Sequence, residues 1–331
     1  MWYVGVDLGW KSSVIALLSD DGIKVSPKRF SNQNPSTMMK YLSQYKPFKA
    51  VIEATGSYRW IYELLIQHGE VILAHPFRLR AIWSGKAKTD KLDAKVLAEL
   101  LRADLMPESY VPPPSYQVLR DITRARARLV RRRTRVRNEL RSILACANIE
   151  SPMSCPFGPR GLKWFASLQL NPAADIVRDE LIERLEYFET VIHKFDERLK
   201  TIAGHYPQTE ALIDIPGFAL YTALLVIAEY GQPWRFRQAS QAAAYAGLTP
   251  RVYQSGQYEH RGKISKQGSP WLRWILVEAA FKVTRKDEPL RRFYERVRRR
   301  RGKQAGRIAV ARKLAEICWK RLMAWHQSQA A

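Results

Sequence analysis

Two aspartates, Asp90 and Asp93, stand three residues apart in the stretch KTDKLDAKVLAEL, among lysines, in a chain of formal net charge +24. That spacing places both carboxylates on one face of a helix. Thr89 or Asp90 can cap the helix, which puts both acids in its first turn. Two further acids close short apolar runs, Asp7 in WYVGVDLG and Glu53 in KAVIEATG. The ends of neighbouring strands are where open α/β sheets carry their chemistry. Four convergent carboxylates repel one another, and hard divalent cations relieve the conflict. Mg²⁺ takes oxygen ligands and keeps waters, and a pair of such ions can hold both sides of a phosphodiester during in-line displacement. On this reading Asp7, Glu53, Asp90 and Asp93 form a Mg²⁺ ligand set. Taken singly, each acid has an ordinary alternative: Asp90 as a cap, Asp93 paired with Lys86 or Lys88.

The elements that must position these acids read as an α/β domain over residues 1–110. WYVGVDLG, SSVIALLS and IKVSPKRF are three early strands with a turn at Asp21-Gly22. KAVIEATG and EVILAH are later strands, with a helix from Trp60 to His68 between them. Antiparallel strands followed by strand-helix alternation is the order of a ribonuclease H-like sheet, although other α/β folds share it. VGVDLGWKSSVIAL also suits the first phosphate loop of actin-like kinases. The second aspartate-glycine loop and the glycine-rich adenosine loop of those proteins do not follow.

Val111-Pro-Pro-Pro114 is a stiff break. Beyond it, Val118, Ile122, Ala125, Leu129, Val136, Leu140 and Ile143 recur at threes and fours. Leu181, Leu185, Phe188, Ile192, Phe195, Leu199 and Ile202 keep a heptad. Residues 115–205 are therefore expected to form a basic helical, coiled-coil insert, either an antiparallel hairpin or a dimer element. Residues 206–331 form a mainly helical C-terminal domain, in which Arg251 to Lys266 reads as a polar, glycine-rich loop.

Lysine and arginine total 55 against 31 acids, which predicts a polyanionic partner, nucleic acid before anionic lipid. Arg124, Arg128, Arg131, Arg132 and Arg135 on the first long helix, and Arg298, Arg299 and Arg300 in RVRRRR, are candidate nucleic-acid contacts. Arg251, Arg261, Lys263 and Lys266 in the glycine-rich loop join them, because such a loop can approach and neutralise a phosphate. Position does not separate DNA from RNA among these. Cys146, Cys155 and Cys318 have no metal-ligand spacing, and no apolar run is long enough to span a bilayer. The expectation is a cytoplasmic protein, nucleoid-associated when active, with no membrane partner.

Asp7, Glu53 in IEATG and the pair in KTDKLDA resemble the DEDD motif of insertion-sequence transposases of the IS110 family, whose first domain is similar to the RuvC junction resolvase. The C-terminal half resembles their transposase domain through IPGF, AAAYAGLTPR, the following SG, and GKISKQGSPWLR. The resemblance implies that the four acids bind Mg²⁺ and that Ser255, in QSG, is the nucleophile that attacks a DNA phosphate and forms a phosphoserine-DNA intermediate. It also implies a homodimer assembling to a homotetramer, and a structured noncoding bridge RNA that pairs with double-stranded donor and target DNA. From the residues alone Ser255 is one of several loop hydroxyls with Ser265 and Ser269, and His260 either assists proton transfer or touches DNA. A metal-dependent nuclease or junction resolvase using only the carboxylates, and an inert nucleic-acid-binding scaffold, are the other readings.

Overall fold

The apolar runs of the N-terminal part become a five-stranded mixed sheet in the computed structural model, which describes residues 1–83, 89–255 and 258–330. Its elements are β1 (Trp2–Leu8), β2 (Ser12–Ser19), β3 (Lys24–Ser31), α1 (Pro35–Leu42), β4 (Phe48–Glu53), α2 (Arg59–Leu65), β5 (Glu70–Ala74), α3 (Pro76–Ile82) and α4 (Asp90–Arg102). The strand order is β3-β2-β1-β4-β5, with β1 to β3 antiparallel and β4 and β5 parallel to β1. β2 is apolar on both faces because both are covered. Met38, Leu42, Ile61 and Leu65 of α1 and α2 pack on one side with Val4, Val6, Ile15 and Leu17. Ala94, Leu97 and Leu101 of α4 pack on the other with Val14, Ala16 and Val51. β3, at the edge, shows mostly exposed lysines and arginines to solvent, as an unpaired edge requires. This is the ribonuclease H-like, RuvC-like architecture.

The chain divides into two compact units, Met1–Val111 and Pro112–Ala331. The second is mostly helical: α5 (Pro114–Cys146), α6 (Pro159–Ser167), α7 (Pro172–Ala203), α8 (Glu210–Ile213), α9 (Leu220–Tyr230), α10 (Ala239–Tyr245), β6 (Pro250–Ser255), β7 (Tyr258–Ile264), α11 (Pro270–Val283) and α12 (Glu288–Ala330). The expected insert, 115–205, lies inside this unit. Its two long helices form an antiparallel hairpin within one chain, α5 being about 50 Å long at 1.5 Å per residue. Val136, Leu140 and Leu144 meet Leu181 and Leu185, and Arg126 pairs with Asp196 while Arg133 and Arg137 pair with Glu189. The heptad of α7 is thus satisfied in cis along this length.

α9 is the centre of the remaining core. From Thr222 to Tyr230 it is buried throughout, and residues of α5, α10, α11 and α12 close around it. α12 is not continuous: Gly302 sits at φ 85°, ψ 169°, a conformation open essentially to glycine alone, and separates the RVRRRR block from the final core helix.

Candidate active site and nucleic-acid interface

Gly5 explains why α4 lies where it does. A Cβ there would fall 2.0 Å from the Ala94 carbonyl oxygen and 2.7 Å from the Ala98 nitrogen, so the helix backbone rests directly on β1. Alternation then puts Asp7, two residues on, on the α4 side of the sheet. Val51 packs against Leu97 and Leu101, which puts Glu53 on the same side. The parallel register that pairs Val6 with Ile52 brings Asp7 level with Glu53 at the carboxyl ends of their strands. Asp90 and Asp93 occupy the first turn of α4, whose amino end lies over that edge of the sheet. Thr89, not Asp90, is the cap: its hydroxyl accepts from the Leu92 amide at 3.2 Å, leaving the Asp90 carboxylate available. The helix dipole favours acids at this turn.

Topology thus brings the four acids to one end of one layer, but their side chains do not close into a shell. Among the described residues no group of three or more His, Cys, Asp or Glu is arranged to hold a metal ion. Asp90 is turned instead to Arg29 of β3, whose Nη2 lies 2.6 Å away, and Arg29 also donates to the Ser12 hydroxyl at 2.8 Å. Like charges without a cation among them separate, and the nearest arginine takes one. The donor set, four carboxylates and no nitrogen or sulfur, is that of a hard cation such as Mg²⁺. Lys86 and Lys88, the alternative partners of Asp93, lie outside the described residues.

The segment read as a polar loop is a two-stranded antiparallel ribbon, β6 paired with β7. The alternation of Val252, Tyr253 and Gln254 around a short connection was the available signal, masked by the glycines and charges. Ser255 is the last residue of β6 and pairs with Tyr258. Gly256 lies outside the described residues, as do the side chains of Ser255, His260 and Arg261. Arg251, Lys263 and Lys266 are exposed.

Of the other candidate hydroxyls, Ser269 is accounted for by structure. It is buried, caps α11 by accepting from the Leu272 amide, and donates to Glu229 Oε2 at 2.8 Å. Glu229, the single charged residue of α9, is fully buried. Arg124 donates to both its oxygens, Nε to Oε1 at 2.6 Å and Nη2 to Oε2 at 2.8 Å. Burial works against the Arg124 charge, but the hydrogen bonds and charge of Glu229 hold its pKa above the usual arginine value. Arg120 donates to the carbonyls of Ala228 and Glu229 at 2.7 and 2.6 Å. The network joins α5, α9 and the start of α11, just beyond the ribbon. A lone glutamate in an otherwise apolar helix was its only mark in the sequence.

The arginines of α5 therefore divide. Arg120, Arg124, Arg126, Arg133 and Arg137 face inward onto carbonyls or acids, and Arg124 drops out of the candidate contacts because its guanidinium is engaged by Glu229. Arg128, Arg131, Arg132 and Arg135 are exposed. Arg131 lies 4.4 Å over the Trp271 ring, and Arg135 pairs with Glu139. Arg298, Arg299 and Arg300 are also exposed, and Arg299 and Arg300 line a surface groove of about 630 Å³ with Arg292 and Arg296. No helix among the described residues is long and apolar enough to cross a membrane.

Comparison with known proteins matches two successive segments of the chain to transposase models. Residues 4–148 match the family model described as a DEDD transposase of the IS110 type, and residues 209–295 match the transposase IS116/IS110/IS902 family. The chain is 28% identical over 300 residues to a probable family 20 transposase of Pseudomonas aeruginosa, covering 84% of this chain and 85% of that protein. It is 26% identical over 327 residues to the transposase for insertion sequence element IS1328 of Yersinia enterocolitica, covering 96% and 95%.

Proposed function

We propose that this chain, whose residues 4–148 and 209–295 match the transposase family models, is a transposase of the IS116/IS110/IS902 type and an RNA-guided DNA recombinase in which Ser255 attacks a DNA phosphodiester with the help of a Mg²⁺-binding acidic site. The observation that carries the reading is the pairing of two features in family order: four acids at one sheet end in the first matched segment, and Ser255 on a cation-bearing ribbon in the second.

The chemistry conserves bond energy. The Ser255 oxygen forms a bond to phosphorus while one bond from phosphorus to a deoxyribose oxygen breaks. The serine proton passes to a base or to solvent, and the released deoxyribose oxygen keeps the electron pair and is protonated to a hydroxyl. A hydroxyl from another strand then reverses the step and frees the serine, so no high-energy cofactor is consumed. Serine needs activation to attack. Arg251, Lys263 and Lys266 neutralise the phosphate and orient it.

Asp7, Glu53, Asp90 and Asp93 would hold Mg²⁺, which supplies stabilisation of charge on the phosphate oxygens. For that, Asp90 must leave Arg29. In this proposal a bridge RNA provides the sequence specificity by pairing with donor and target duplexes, and dimers assemble to tetramers. The exposed arginine rows of α5 and of the RVRRRR block grip these polyanions by their backbones.

The test is incubation of the full chain with Mg²⁺, its flanking noncoding RNA and labelled donor and target duplexes, followed by a denaturing gel beside Ser255→Ala. A slower, protease-sensitive DNA band that is absent from the variant is the expected result. Cleavage without an adduct, unchanged in Ser255→Ala, would assign the reaction to the acids and water alone and remove Ser255 from the mechanism.

A further inference from the structure

Two large aromatic side chains of the β6–β7 ribbon are left in solvent: Tyr253 is 57% exposed and Tyr258 72%. The register pairs Tyr253 with His260 and Ser255 with Tyr258. Directly paired residues share a face, as do residues two apart on one strand, so positions 253, 255 and 258 lie on the same side of the ribbon. Gly262 lies on that side too. A Cβ at Gly262 would sit 3.5 Å from Tyr253 Cε2, so the ring lies along β7 over the glycine and is not turned into the core.

A two-stranded ribbon is marginal by itself and ordinarily uses its aromatics to bury area. These two add little to the ribbon where they stand. Arg251, two residues before Tyr253 and beside Gly262, is exposed, and so are Lys263 on β7 and Lys266 just beyond it. Rings set among cations can stack bases while the charges follow the strand's phosphates, and bases offer their faces only when they are unstacked from a duplex. We propose that Tyr253 and Tyr258 form a stacking platform for unpaired DNA bases beside the phosphate presented to Ser255, so that the site takes a locally opened DNA strand in preference to a closed duplex. The proposal rests on Ser255 as the attacking residue. It adds two positioning residues and a substrate form to that reading.

The probe is a short oligodeoxyadenylate carrying one 2-aminopurine, whose fluorescence reports stacking, compared with the same strand annealed to its complement and with an oligoriboadenylate of equal length. The full chain is expected to bind the single DNA strand with a fluorescence change. Tyr253→Ala and Tyr258→Ala are each expected to weaken that binding on the order of tenfold or more while duplex binding stays within about twofold. Tyr253→Phe and Tyr258→Phe retain the ring and should bind like the parent, and thermal unfolding should not move in any of the four. Unchanged single-strand binding in the alanine variants would overturn the proposal. So would an equal loss for duplex, or a loss confined to the RNA probe. Ser255→Ala keeps the rings and should keep both binding and fluorescence. If no phosphoserine adduct forms in any reaction but these binding differences appear, the nucleophile assignment fails and the platform stands; a normal adduct with unchanged binding in the alanine variants means the reverse.

Discussion

Removing Arg124 tests whether its guanidinium is structural or reaches nucleic acid. Glu229 is fully buried, and Arg124, 30% exposed at its side chain, supplies two of the hydrogen bonds to its carboxylate. Breaking a buried pair by deleting one partner costs about 3–5 kcal/mol, because the remaining charge stays desolvated. Ser269 still donates one bond, and Arg124 is partly solvated, so Arg124→Met belongs near the lower end, about 3 kcal/mol. For a unit of roughly 150–250 residues, each kcal/mol moves Tm by about 2–4 °C, giving a drop of about 6–12 °C. Adding Glu229→Gln removes the stranded charge and should recover half of the loss or more. Thermal unfolding followed by circular dichroism measures both. A filter-binding salt titration, run well below either Tm, should show duplex affinity unchanged by Arg124→Met, whereas Arg128→Ala should weaken it and lower the salt slope by about one. A single variant that melts within about 2 °C of the parent, or a double variant no more stable than the single, would refute the assignment of this pair as the buried tie between α5 and α9.

Three shorter expectations concern the first unit. Gly5→Ala would drive a methyl into the Ala94 carbonyl, so α4 must lift from β1; a loss of about 3 kcal/mol or more is expected in urea unfolding, together with loss of any Mg²⁺ binding that calorimetry detects in the parent. Arg29→Ala frees Asp90 from an exposed pair worth up to about 1 kcal/mol, so Mg²⁺ should bind up to roughly fivefold more tightly by the same calorimetry; an unchanged or weaker affinity would separate Arg29 from the metal site. His75 accepts from the Arg78 amide at the start of α3, and burial first, then the Arg78 charge, lowers its pKa. A lowered folded pKa means that the stability is present above the unfolded value of about 6.5 and is lost as pH falls below it. Amide exchange over Pro76–Ile82 should therefore accelerate as pH falls from 7 to 5 by more than the intrinsic rate, and His75→Asn should remove the pH dependence.

The strands of the first unit were legible because their signal is local. Continuous apolar runs of strand length bounded by turn residues admit few other readings, and all five appear where the runs lie. The two segments that match transposase models could be approached in the same way, because the motifs that suggested the resemblance are short and ordered along the chain. Ser269 shows where that kind of reading stops: as a loop hydroxyl it looked equivalent to Ser255, and only its burial against Glu229 identifies it as a cap. The ribbon of Ser255 was read as a loop because glycines and charges diluted a short period-two pattern, and pairing between strands is a contact that neither strand announces alone.

Charge behaved in the same way. The sequence by itself determined that this chain carries a large basic excess, two long amphipathic helices and four acids at element boundaries. These follow from residue type and spacing, which fix helix faces and strand alternation before any long-range contact forms. Which arginine faces which partner was decided by the tertiary structure. Arg124 and Arg128 are one helical turn apart and chemically identical, yet one meets a buried carboxylate more than a hundred positions along the chain and the other meets water. A side chain's role depends on what the fold brings to within hydrogen-bonding distance, and that distance is set by the packing of whole elements. Asp90 makes the same point at the acidic end: its place on α4 was written in the sequence, but its attachment to Arg29 depended on β3 lying at that edge of the sheet.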